Sequence, residues 1–142
     1  MSAHRKPPLP PHFDCITAGV CRWCNQTIGT TRTGKPSRAT WHPACAKEYK
    51  FLYWPSESRK VVWKRDKGVC ASCKHQCEKR RNGWHLDHIK PLIGANGDLS
   101  FWSLGNMQTL CVPCHKEKTA SEAKERAKER RARKQNEISG IE

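Results

Sequence analysis

The chain has 142 residues, of which 36% are hydrophobic, below the roughly 45–50% of ordinary globular domains. Lys and Arg number 27 against 13 Asp and Glu, a net charge of +14, and nine cysteines are present. With a mean hydropathy of -0.86 and no apolar run approaching roughly 18 residues, the composition excludes a membrane protein and a large-core enzyme. The first residues lack an apolar leader region, so a non-secreted, cytoplasmic protein is expected, whose cysteines bind metal rather than form disulfides.

Residues 1–14 hold four prolines and no periodicity, which predicts a disordered or polyproline II lead-in. Residues 15–54 form a first module. Cys21 and Cys24 make a C-x2-C pair, and His42 and Cys45 an H-x2-C pair. Two tight pairs supply the four tetrahedral ligands of a structural Zn2+, in a treble-clef or LIM-like finger. Ala44 to Phe51 should continue as a helix. Pro55–Ser58 marks a linker or a helix start, and Arg59–Lys67, ended by Gly68, reads as a short basic helix.

The second domain spans 55–119. Cys70 and Cys73 pair with Cys111 and Cys114 as an all-cysteine site for a second structural Zn2+, with Pro113 suited to a helix N-terminus. Cys77 competes with Cys73 as a ligand, the tighter spacing favouring Cys73, and Cys15 is left over. Trp63, Trp84 and Trp102 are expected to pack around the second zinc, Trp23 and Trp41 around the first. Residues 120–142 form a basic tail. Ala120 to about Gln135 should be a solvated helix with Glu122–Arg126 and Glu129–Arg133 at i,i+4 spacing. Basic charge runs through both modules and the tail, the signature of a nucleic-acid partner. Arg80 and Arg81, before Trp84, are candidate phosphate contacts, with Lys90, Lys116 and Lys118.

Between the second cysteine pairs lie LDHIKPL (86–92) and GNMQTLC (105–111), followed by CVPCHKEKT (111–119). These three landmarks, in this order and inside a cysteine frame, resemble the HNH endonuclease family over about Arg59 to Thr119. The resemblance implies a small, metal-stabilised α+β fold of ββα-metal type. A hairpin would present Asp87 and His88, and a helix from Pro113 would present His115. His88 would be the general base, and Asp87 and His115 would ligate one catalytic divalent cation (Mg2+, Mn2+, Ni2+ or Zn2+). Asn106, the other catalytic position, would hold the loop that orients His88. Such frames are common in nucleases of phages and mobile elements, which implies DNA as partner, a host-cytoplasmic setting and a role in phage DNA processing, packaging or recombination.

The family's usual Gly-Gly pair is replaced by Gly94-Ala95-Asn96-Gly97, and its further histidine by Thr119. A two-residue metal clamp is therefore expected. On a strand His85 shares a face with Asp87, though a surface histidine is the simpler reading. Consecutive strand residues face opposite ways, so Asp87 and His88 need an irregular backbone to serve one site. The rival function is a zinc-stapled nucleic-acid-binding protein without catalysis. The presence together of Asp87, His88, Asn106 and His115 favours the nuclease.

Overall fold

The computed structural model describes residues 6–140. Among these, three α-helices, a two-stranded sheet and three short 3-10 turns make a small α+β structure. It divides into two compact units. One holds the described residues up to Arg65 together with His88–Met107; the other holds Asp66–Asp87 and the described residues from Gln108 onward.

In the first unit, α1 (Pro43–Tyr53) opens on Pro43 and is preceded by His42 in an extended conformation. Proline suits this position because its fixed φ is helical and its missing N–H had no partner to lose. Trp54 is extended because Pro55 follows it, which ends α1. Pro55 then starts α2 (Pro55–Asp66), with Glu57 in the first turn. Pro55–Ser58 is therefore a helix start rather than a linker. Lys67 and Gly68, at φ +53° and +71°, turn the chain out of α2 through left-handed conformations.

The core of this unit is aromatic. Tyr49 stacks on Phe13 and Tyr53 with ring centroids 5.6 and 4.8 Å away, and Trp41 and Trp23 pack on Tyr49 at 5.1 and 5.9 Å. Phe13 is buried, and the Arg22 guanidinium lies 4.4 Å from its centroid and donates to its carbonyl. Tyr53 Oη donates to the Pro7 carbonyl at 2.7 Å. Residues 7–14 are thus tied to this core through the Pro7 carbonyl and the Phe13 ring. A single phenylalanine and a few carbonyls complete this core, too little to leave a periodic pattern. Residues 1–5 lie outside the described residues.

β1 (His85–His88) and β2 (Met107–Leu110) pair in the sheet, and α3 (Val112–Ser139) follows. Trp84 is buried in the second unit; Trp102 is buried too, but in the first, correcting its expected place around the second zinc. The knuckle helix and the tail helix prove to be one 28-residue helix, about 42 Å long. None of its described residues is buried, so it rests on Ala, Glu, Lys and Arg propensity and on ion pairs. Lys118 pairs with Glu122, and the expected Glu122–Arg126 pair is present at 3.9 Å. No helix among the described residues is long and apolar enough to cross a membrane.

Candidate metal centres and nuclease site

Each cysteine frame brings four ligand atoms within 4.8 Å of one another: Cys21, Cys24, His42 and Cys45 in the first unit, and Cys70, Cys73, Cys111 and Cys114 in the second. Zn–S bonds near 2.3 Å and Zn–N bonds near 2.0–2.1 Å give tetrahedral edges of about 3.6–3.8 Å. Cys73 and Cys111 Sγ are 3.6 Å apart, and His42 Nδ1 is 3.4 and 3.9 Å from Cys24 and Cys45 Sγ. Both frames could therefore hold zinc. His42 Nε2 lies 3.2 Å from the Thr27 carbonyl, a contact that leaves Nδ1 to face the frame.

The thiols are tuned alike. Burial raises Cys21, but N–H groups of Cys24, His42 and Trp23 outweigh it and bring the thiol down to about 6. At Cys70 burial is likewise overcome by N–H groups of Cys111, Cys73 and Ser72, giving about 6. Burial and hydrogen bonding with Cys24 and Cys21 push Cys45 up to about 12. Cys111 is lowered by the Cys114 N–H, yet burial and the thiols of Cys114, Cys73 and Cys70 push it up to about 12. One thiol of each first pair, Cys21 or Cys70, is thus lowered, and a thiol of each second pair, Cys45 or Cys111, is raised. Cys77 is buried outside the ligand set, its thiol raised by burial and by the charge of Cys70, Cys73 and Cys114. Cys73 therefore takes the disputed position, and Cys15 is exposed outside both frames.

Asp87 on β1 is 8% exposed. Gln108 Nε2 donates to its Oδ2 at 2.9 Å, and Lys118 Nζ lies 3.2 Å from the same oxygen. Lys118 also pairs with Glu122, so one ammonium compensates two carboxylates. Gln108 and Lys118 border an open groove of about 500 Å³, with Ser72, Leu110, Glu117 and Ser121. His115, in the first turn of α3, stacks its ring on His85 with centroids 4.2 Å apart and planes 12° from parallel. His85 is half-buried. The i,i+2 spacing of His85 and Asp87 was the sequence signal for it. Among the described residues, Asp87, His85 and His115 do not close into a three-ligand cluster.

Asn106 is buried in the first unit and uses its whole carboxamide. Oδ1 accepts from Lys90 N at 2.8 Å, while Nδ2 donates to Lys90 O at 3.1 Å and Phe101 O at 2.8 Å. Its carbonyl accepts from Ile89 N at 2.8 Å. The two residues after His88 are thereby fixed.

The basic candidates separate. Arg80 is exposed and pairs with Glu78. Lys90 Nζ lies 6.0 Å from the Phe101 ring centroid, and Lys116 is exposed. Lys118 is largely sheltered by its pairs with Asp87 and Glu122. Its place one turn beyond His115, where it reaches back to Asp87, was missed in the sequence. So was Arg65, whose guanidinium donates to Leu104 O at 2.6 Å and Met107 O at 2.5 Å.

A cysteine frame, a short strand pair bearing Asp-His, and a helix bearing histidine directly after the last cysteine define a ββα-metal domain. Residues 70–121 match the family model described as HNH endonuclease. Among curated proteins, the chain is similar to the DNA annealing helicase and endonuclease ZRANB3. It is 56% identical to the Homo sapiens protein over 48 residues, and 54% to that of Bos taurus over the same length. The match covers 34% of this chain and only 4% of each of those proteins. No solved structure matches the chain.

Proposed function

We propose that the chain is a divalent-metal-dependent HNH endonuclease that hydrolyses DNA phosphodiester bonds. The observation that carries this is the Asn106 network, which fixes residues 89–90 immediately after His88. A pure binding module has no use for a polar residue committed to that loop. The relatives, named as DNA annealing helicases and endonucleases, support the same class of substrate.

His88 is the general base. It takes a proton from the attacking water as a new P–O bond forms and the bond to the departing ribose oxygen breaks. Asp87 and His115 would hold the divalent cation, an oxygen and an imidazole ligand with positions left for water and phosphate. When bound, that cation supplies charge neutralisation at phosphorus and at the leaving oxygen. Two structural zinc ions staple the frames. DNA affinity comes from the basic surface, including Arg80, Arg81, Lys90 and Lys116.

The test is relaxation of supercoiled plasmid by purified protein with Mg2+, Mn2+ or Ni2+, with EDTA controls and a gel shift on the same DNA. His88→Ala should cut about 10²–10⁴-fold more slowly while DNA binding and zinc content hold. A second reading, a non-catalytic zinc-dependent DNA-binding protein, is favoured by the Lys118 ammonium that already compensates Asp87. It wins if the wild-type protein shifts DNA yet never cuts it with any divalent ion.

A further inference from the structure

We infer that Arg65, the penultimate residue of α2, is a positioning residue for the Asn106 loop, an inference that rests on the nuclease function proposed above. Its guanidinium donates through Nη1 to the Leu104 carbonyl at 2.6 Å and through Nη2 to the Met107 carbonyl at 2.5 Å. These two carbonyls flank Asn106 on either side. Asn106 in turn grips the backbone of Ile89 and Lys90 and the carbonyl of Phe101. Every contact in this chain lies within the first unit.

The chemistry of the clamp is specific. The Arg65 fork holds two carbonyls at once, and a lysine ammonium is a point charge that cannot reproduce both bonds in one plane. The loop needs such an anchor. It runs from Ile89 to Asn106 through three short 3-10 turns, with Ile89, Ile93 and Leu99 about half exposed. Trp102 and Ala95 anchor it by burial, and hydrogen bonds define the path of its ends. Arg65 therefore sets where Asn106 sits, and Asn106 sets the chain direction leaving His88. Arg65 touches neither substrate nor reacting atoms; it acts through Asn106.

The full-length chain with Arg65→Lys and Arg65→Ala tests this. The readouts are single-turnover plasmid cleavage, the dependence of rate on DNA concentration, gel shifts across salt, zinc content, and hydrogen exchange of the Lys90 and Asn106 amides by NMR. For Arg65→Lys the maximal rate should fall about 10- to 100-fold, as a small misplacement of a reacting group does. The half-saturating DNA concentration, salt slope and zinc content should stay unchanged, and the Lys90 amide should exchange faster. Should Arg65→Ala lose zinc or fold poorly, Arg65→Lys carries the test alone. Wild-type cleavage and exchange in Arg65→Lys overturns the clamp. So does weaker DNA binding in Arg65→Ala that lysine restores, since Arg65 would then be a phosphate contact. Wild-type protein that never cuts overturns the nuclease function itself, which a cutting wild type with an indifferent Arg65→Lys does not.

Discussion

Residues 19–28 and 68–77 trace the same path twice. Gly19 and Gly68 both have positive φ, as do Asn25 and Lys74, each directly after its C-x2-C pair. Cys21 N bonds Gln26 O as Cys70 N bonds His75 O, and Ile28 N bonds Gly19 O as Cys77 N bonds Gly68 O. Arg22 N bonds Thr40 O as Ala71 N bonds Thr109 O, and a proline-bearing helix starts directly after the first ligand of each second pair. The frames part company in two places. The first spans its ligand pairs with residues 25–41 and follows its last ligand with Ala46. The second spans them with residues 74–110, carrying β1 and the Asn106 loop, and follows its last ligand with His115. In the proposed nuclease the cysteine frame is the scaffold, and the chemistry is added in the insertion and at one helix position.

The sharpest way to break that comparison is at the ligands. Cys111→Ser and Cys21→Ser should each lose one zinc and leave the protein insoluble or partly unfolded, because metal binding supplies ~10–16 kcal/mol per site to modules with little apolar core. Elemental analysis and circular dichroism check this, and two zinc ions retained in a well-folded Cys21→Ser would show that the first frame is not a metal site. The next largest effect separates scaffold from insertion. Asn106→Ala removes three side-chain hydrogen bonds and should cost roughly 2–4 kcal/mol, since buried partners are left unsatisfied. Cleavage should fall while both zinc ions stay, as measured by urea denaturation beside zinc content.

Acid should release metal from both frames, since ligation needs thiolates. For Cys21 and Cys70 the sign is that of a lowered thiol. Their thiolates are held by the fold between the ordinary value near 9 and about 6, and are lost as pH falls through about 6. A zinc-sensitive dye should report release as the pH falls, and release at mildly alkaline pH would contradict it.

Smaller effects sharpen the picture at the edges. Truncation after Ala127 spares Lys118, Glu122 and Arg126; it should weaken DNA binding and lower the salt slope by about one unit per lost phosphate contact. Unchanged binding at every salt concentration would give the tail another role. Cys15→Ser should change neither zinc content nor stability, as an exposed thiol outside both frames.

Much of this was legible in the sequence because it is local. The C-x2-C spacings named all eight frame ligands, since convergence of two sulfurs on one ion is a property of a short turn. Pro113 marked a helix start and Pro55 left one open, because a fixed φ acts at its own position. The motif order around Asp87, His88, Asn106 and His115 named the HNH segment, and the family match over residues 70–121 agrees. What the sequence hid was long-range. The docking of residues 7–14 depends on Phe13 meeting Tyr49 and on Tyr53 Oη reaching the Pro7 carbonyl. The pairing of Lys118 with Asp87 and of Arg65 with Leu104 and Met107 joins residues far apart in the chain. The repeat of one knuckle path in two modules is carried by backbone hydrogen bonds and positive φ, which different residues satisfy. Ligand spacing is a covalent constraint that the chain carries everywhere. The partner of a long cationic side chain is chosen only when folding brings distant carbonyls and carboxylates within its reach, and that choice belongs to the tertiary structure.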